Sequence, residues 1–281
     1  MNKTHAPSAS ILPLIFGILL LANNITALES AFILNDDFQD GDRTLQKPPE
    51  SLQYFYSGNP RSIKETEGNL VLNGDQRAYL LGYLGAPGEY IELEVGQILS
   101  LEITFRAEQG EGQGLRPLRL ALLNSGDNEG GQRATMKDHF GSKMVGHTDY
   151  RGYQAAYALF ASTGNTIAIY ERDLPHQSLI ISTLEGKSGY TPLGEFGGSG
   201  STRADSLYTA QIYVQRQSET ETEITAILAE KGSKERTDFS LKRLDTNDIV
   251  TRFDTIGVGL KASKGNLGNV YIESLRVFKV M

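Results

Sequence analysis

From residue 91 onward the chain alternates between apolar and polar positions. In "YIELEVG", Ile91, Leu93 and Val95 share one parity and Glu92 and Glu94 the other. A period of two is the mark of a strand with one buried face. "ILSLEITFRA" repeats it through Leu99, Leu101, Ile103 and Phe105, and "LRPLRLALLN" gives a further strand. "GYQAAYALFAS" and "NTIAIYERD" follow, joined at Thr163-Gly164-Asn165. The clearest later runs are "LYTAQIYVQRQ", "TEITAILAEK", "FDTIGVGLKAS" and "NVYIESLRVFKV". Upstream, "AFILNDDF" breaks at Asp40-Gly41, and Asn73-Gly74 separates "NLVLNG" from "RAYLLGYLG". Short β-like runs divided by such turn signals predict an all-β, antiparallel sandwich or jelly roll. A parallel βαβ fold is disfavoured, because amphipathic helices are missing between the strands. One short helix is expected within residues 238–250, "DFSLKRLDTNDIV".

Two segments interrupt the pattern. Residues 125–151 form a polar stretch longer than the usual connection, and residues 182–206 are rich in glycine. No shift of composition marks a second domain, so residues 28–281 are expected to form a single sandwich. The first 27 residues read differently. Lys3 and His5 precede the apolar run "ILPLIFGILLLA". That run is shorter than the roughly 20 residues a spanning helix needs, which suits an export signal. Cleavage after Ala27 would leave no membrane span; a retained N-terminal anchor is the alternative. The expected location is secreted, periplasmic or cell-surface. With no cysteine in the chain, an exported form has no disulfides and relies on its packed core. The net charge of −7 disfavours nucleic acid and anionic membrane surfaces, both of which attract clustered Lys and Arg.

The two ends carry a pattern. "DDFQDGDRT" near the start and "FDTIGVGL" with "NVYIESLRVF" at the close resemble concanavalin A-like (LamG-type) jelly-roll modules of secreted bacterial proteins, and "GEYIELEVGQILSLEITFRA" resembles their middle strands. The resemblance covers most of residues 32–280 and implies that the first and last strands pair. It also raises structural calcium as a cofactor and a polysaccharide or glycoconjugate as a partner. Such modules include lectins, glycosidases, lyases and inert spacers, so fold alone does not choose among them.

The stretch "NDDFQDGDRT" puts Asp36, Asp37, Asp40 and Asp42 close together. Calcium needs six to eight converging oxygens. EF-hand spacing fails, because Gln39 and Gly41 occupy ligand positions and Pro48 stands where a Glu is required. A calcium site using Asp37, Asp40 and Asp42 would have to draw on distant loops. Turn chemistry alone is the other reading, since Asp side chains bond nearby backbone N–H groups and Asp40-Gly41 suits a turn.

No complete catalytic motif is present. Retaining glycosidases of this fold carry Glu-x-Asp-x-Glu on one strand, whose alternation brings the acids to one face. "IELEVG" offers Glu92 and Glu94 and then Gly96; "ETETEIT" offers Glu219, Glu221 and Glu223 with threonines between. Solvated charge at a strand edge explains both. The long polar stretch holds His139 and His147 beside Arg133, Tyr150 and Arg151, parts that a glycan lyase could use. For binding, Tyr150, Tyr153 and Tyr157, with Arg151, Gln154 and the upstream His147, form the densest cluster of aromatic and planar polar groups, and Tyr79, Tyr83 and Tyr90 form a second. Tyr153 and Tyr157 share strand parity. Tyrosine also packs well in strands, and the chain lacks tryptophan, the strongest stacking platform. A non-catalytic carbohydrate-binding or surface-interaction module is therefore expected first. A polysaccharide lyase or glycoside hydrolase and a structural, adhesive surface protein are the alternatives. Under the binding reading, Tyr153→Ala should weaken glycan retention without unfolding the protein.

Overall fold

The computed structural model describes residues 31–40, 54–56, 62–66, 68–74, 78–109, 116–126, 133, 150–160, 165–173, 190–197, 202–232, 238–260 and 268–281. Among them every regular element is a strand. In chain order these are β1 (Ala31–Asp36), β2 (Tyr54–Tyr56), β3 (Ile63–Thr66), β4 (Asn69–Leu72), β5 (Ala78–Tyr83), β6 (Ile91–Glu92), β7 (Ile98–Ala107), β8 (Arg116–Asn124) and β9 (Arg151–Leu159). They continue as β10 (Asn165–Arg172), β11 (Thr191–Gly197), β12 (Leu207–Arg216), β13 (Thr222–Glu230), β14 (Asp238–Asp245), β15 (Arg252–Phe253), β16 (Thr255–Leu260) and β17 (Val270–Val280). The leader and its cleavage site lie outside the described residues.

Two antiparallel sheets pack face to face. The first runs β14-β13-β12-β7-β17-β4-β3, with β1 also on β17, and the second runs β11-β10-β9-β8-β16-β5-β2. The antiparallel sandwich expected from the alternating pattern is the fold found. The expected pairing of the ends is present too, with Ala31 opposite Lys279 and Asp36 opposite Leu275. One contiguous core lies between the sheets. On β7, Leu99, Leu101, Ile103 and Phe105 are fully buried, and β8 presents Leu118, Leu120 and Leu122 to them from the other sheet. Such burial stabilises by about 25 cal/mol per Å² of apolar surface and is the main term holding a sheet pair together without disulfides.

Two local expectations need correction. Residues 238–245 are the edge strand β14, paired with β13, and not a helix. Leu241 and Asp245 on one parity are buried, whereas Ser240, Lys242 and Leu244 on the other are exposed. The inward positions of that strand hold Arg243 and Asp245 as well as apolar residues, which hides the period of two from a hydropathy reading. In "YIELEVG" only Ile91 and Glu92 form a strand, the short β6 paired with β15, and the chain then turns. Leu93 is buried as expected, but Val95 is 50% exposed, because Glu94 begins a turn that Gln97 closes through its backbone N–H to the Glu94 carbonyl.

Candidate functional site

The structure separates the first tyrosine cluster. Tyr153 and Tyr157 do share a face, but it is the inward one, and both rings are fully buried in the sandwich core. The Tyr153 hydroxyl donates to Asp245 Oδ2 at 2.7 Å and accepts the Val250 N–H at 3.1 Å. The Tyr157 hydroxyl crosses to the opposite sheet and donates to the Gln211 carbonyl at 2.5 Å. Tyr150 is buried elsewhere, with its hydroxyl 2.9 Å from that of Tyr83. Arg151 forms an exposed ion pair with Asp248 at 2.7 Å. Stacking on a sugar needs an accessible ring face, and none of these three tyrosines offers one. His147 and His139 lie outside the described residues.

The outer face of the second sheet is less usual. Side chains alternate across a strand, so residues one place from the core positions point the other way. On β8 these are Arg119, Ala121 and Leu123; on β9, Gly152, Gln154 and Ala156; on β10, Ala168, Tyr170 and Arg172. The register aligns them in rows. Tyr79, Gly259, Arg119, Ala156 and Ala168 form one row, and Leu81, Gly257, Ala121, Gln154 and Tyr170 the next. Glycine and alanine therefore make a low floor, from which Arg119, Gln154, Tyr79 and Tyr170 rise. Arg119, Gln154 and Arg172 are all essentially fully buried. Arg172 is well held, with its Nε donating to the Tyr150 carbonyl and its guanidinium 5.5 Å from the Tyr190 ring centroid.

At the end of the sandwich where β5, β8 and β10 stop, a polar network fixes the loops. Asp254 is buried; its carboxylate accepts the Ser125 N–H at 2.8 Å, the Ser125 hydroxyl and the Thr255 hydroxyl at 2.7 Å. Arg133 lies against it at 3.4 Å, sits 4.6 Å over the Tyr83 ring, and donates to the carbonyls of Gly85 at 2.7 Å and Glu89 at 3.2 Å. Those two bonds hold the loop "GAPGEY" in place, and Glu89 closes it by accepting the Ala86 N–H at 2.8 Å. Beside this loop is a cavity of about 440 Å³ lined by Leu84, Gly85, Gly88, Glu89, Tyr90 and Ile91. Its volume falls in the range of about 300–1,000 Å³ typical of small-molecule sites. Tyr90 is 38% exposed, and the Arg252 guanidinium lies 5.0 Å from its ring centroid while reaching Glu92 at 3.5 Å. Within the second tyrosine group, then, Tyr83 is buried, Tyr79 is half-buried and Tyr90 is the most exposed.

The described carboxylates are not gathered into a metal centre. Among the described residues no group of three or more His, Asp or Glu side chains is placed to hold a metal ion. Asp36 Oδ1 accepts the Phe38 N–H at 2.8 Å and Asp37 Oδ1 accepts the Gln39 N–H at 3.2 Å, bonds that shape a turn in which Phe38 has φ of 56°. Asp40 is exposed at that turn, and Asp42 lies outside the described residues. Calcium does not fit the carboxylates described here. The glutamate series fares likewise. Glu219 and Glu221 lie in the β12–β13 connection and Glu219 pairs with Arg216, while Glu223 pairs with Lys242 on the outside of the first sheet. They never share one strand face.

Glu171 is a different case. It is 3% exposed at the end of β10, opposite Tyr153, and its Oε1 has no hydrogen-bond partner. Burial pushes its carboxyl up to about 8, and the charges of Asp245, Asp173 and Asp248 add to the effect. At neutral pH it is therefore mostly protonated, an ordinary response of a buried acid near other acids.

No family model matches the sequence, and no curated protein matches it. Solved structures similar to the chain include peanut lectin with a 9mer peptide, at 8% identity over 90% of this chain and 98% of that one, with a TM-score of 0.48. Lectin II from Ulex europaeus is similar at 9% identity over 88% and 98%, TM-score 0.48. The Emp46p carbohydrate recognition domain in its metal-free form is similar at 13% identity over 86% and 94%, TM-score 0.47. The antiparallel sandwich and the placement of its side chains rest on the geometry above.

Proposed function

We propose that the chain is an exported, non-catalytic carbohydrate-binding module that takes its ligand in the groove beside Tyr90. The observation that carries this reading is an accessible aromatic ring with planar polar groups around it, on a loop held in place before any ligand arrives. Tyr90 supplies a face for the apolar C–H side of a pyranose, and Arg252, Glu92 and Glu89 supply donors and acceptors for its hydroxyls. Arg133 fixes the loop carbonyls, so little order is lost on binding. The leader sequence supports export, and polysaccharide or glycoconjugate at the cell exterior is the partner.

The test is a glycan array probed with the mature protein in calcium and in EDTA, with the unbound glycans checked for cleavage. Binding to intact glycan that falls at least tenfold in Tyr90→Ala, at unchanged Tm, supports the groove. Unchanged retention in Tyr90→Ala removes it. Cleaved glycan would replace the reading with an enzyme, and silence in both buffers would favour a structural, adhesive surface protein.

A further inference from the structure

Arg119 is a buried cation that the fold leaves unanswered. It is 1% exposed, and among the described residues none of its Nε, Nη1 and Nη2 atoms has a hydrogen-bond partner. An arginine carries five N–H donors in a planar fork and is almost never buried without a carboxylate or a set of acceptors. The titratable groups around it are the phenols of Tyr79, Tyr190 and Tyr170. The Tyr170 hydroxyl is likewise buried without a partner. Across the ladder Arg119 stands between Gly259 and Ala156, neither of which carries a side-chain acceptor for its N–H groups.

We infer that the outer face of the second sheet binds an oxyanion, a carboxylate or sulfate group, in the fork of Arg119, with Tyr170 completing its hydrogen bonds. A planar guanidinium matches two oxygens of such a group at once. Burial lowers the pKa of Arg119 from its usual value, the direction expected of a cation awaiting its counter-charge. The site is distinct from the Tyr90 groove and extends the glycan reading to acidic sugars, without depending on that groove.

Mass action supplies the test. A ligand bound by the folded state alone raises Tm, by roughly 5–10 °C for a domain of this size at a hundredfold excess over its Kd. Thermal melts of the full chain would compare glucuronate, inorganic sulfate, glucose and chloride at matched ionic strength, in the wild type and in Arg119→Met. A rise with glucuronate or sulfate that is lost in Arg119→Met supports the site. A rise with both anions marks a general oxyanion pocket, and a rise with glucuronate alone marks the carboxylate of an acidic sugar. Equal rises in both proteins would be the general effect of salt and would overturn the proposal, as would no rise at all. A shift with glucose that is the same in both proteins reports the Tyr90 groove and leaves Arg119 to be judged by the anions. If Arg119→Met does not fold, the Nε–H signal of Arg119 in wild-type NMR spectra decides instead. Saturable movement with glucuronate or sulfate supports the proposal, and invariance with both overturns it.

Discussion

Replacing Tyr153 by Phe isolates one buried hydroxyl. The ring stays, so packing against Phe253, whose centroid is 6.4 Å away, is retained and the cavity cost is small. What is lost is the donor to Asp245 Oδ2 at 2.7 Å and the acceptor for the Val250 N–H at 3.1 Å. A hydrogen bond to a charged group is worth about 1.5–3 kcal/mol, and a buried N–H left without an acceptor costs about 1–3 kcal/mol. Asn247 still donates to Asp245 Oδ1 at 3.0 Å, so the carboxylate is not wholly abandoned, and the lower half of the combined range applies. We expect a loss of about 2.5–4 kcal/mol, which for a chain of this length lowers Tm by roughly 5–15 °C. Chemical denaturation followed by far-UV circular dichroism, with the urea midpoint read at unchanged slope, measures it. A loss below about 0.5 kcal/mol would refute the claim that this hydroxyl links the two sheets. Tyr153→Ala adds the cavity of a missing ring, about 3–5 kcal/mol by itself. The sequence suggested that this variant would keep its fold and lose glycan; the packing reverses that expectation, and unfolding should come first.

Two further outcomes follow from buried groups nearby. Glu171 has a folded pKa of about 8 against about 4.3 in the unfolded chain, so between those values the folded state keeps a proton that the unfolded state releases. Stability should therefore fall as pH rises from about 4.5 to about 8 and level off above, and Glu171→Gln should flatten that slope in Tm measured across the range. Gly152 has φ of +144°, and a Cβ there would lie 2.2 Å from the Leu122 carbonyl oxygen and 2.9 Å from the Leu123 Cα, both backbone atoms. Gly152→Ala should cost about 3 kcal/mol or more, and a soluble variant melting within a few degrees of wild type would contradict it.

The fold was legible where one face of a strand meets water. On β12 buried and half-buried positions alternate almost without break, and the alternation of "LYTAQIYVQRQ" shows it plainly. Pairing of the ends came from the family resemblance, since no local pattern specifies a partner so distant in sequence. The placement of the Tyr150–Tyr157 cluster was hidden because β9 is covered on both sides. Every residue from Gly152 to Tyr157 is buried, so parity places Tyr153 and Tyr157 together but cannot tell core from surface. Arg119 was overlooked for the same reason. It sits in "RPLRLALLN", where both parities carry Leu or Ala, and a strand apolar on both faces gives an arginine no exposed side to occupy. That conflict was the available signal. Tyr90 could be singled out only by structure, because its loop takes its shape from Arg133, 43 positions away.

The second sheet divides two tasks between its faces, and β9 shows the division within one strand. Its inward side chains tie the sandwich together across the core, Tyr153 to Asp245 on β14 and Tyr157 to the Gln211 carbonyl on β12. Its outward side chains, Gln154 and Ala156, join the floor and rim around Arg119. These two inward hydroxyls are satisfied because the facing sheet presents the Asp245 carboxylate and the Gln211 carbonyl to them. The outward arginine faces no such sheet, and its own ladder neighbours are glycine and alanine, which have nothing to accept its protons. Stability alone would favour an apolar residue of similar volume at position 119, since a buried ion without its partner is worse than none. A buried cation at that position is the physical reason for looking to an anionic ligand, and it makes two substitutions separable: the inward Tyr153→Phe should register in Tm, the outward Arg119→Met in anion binding.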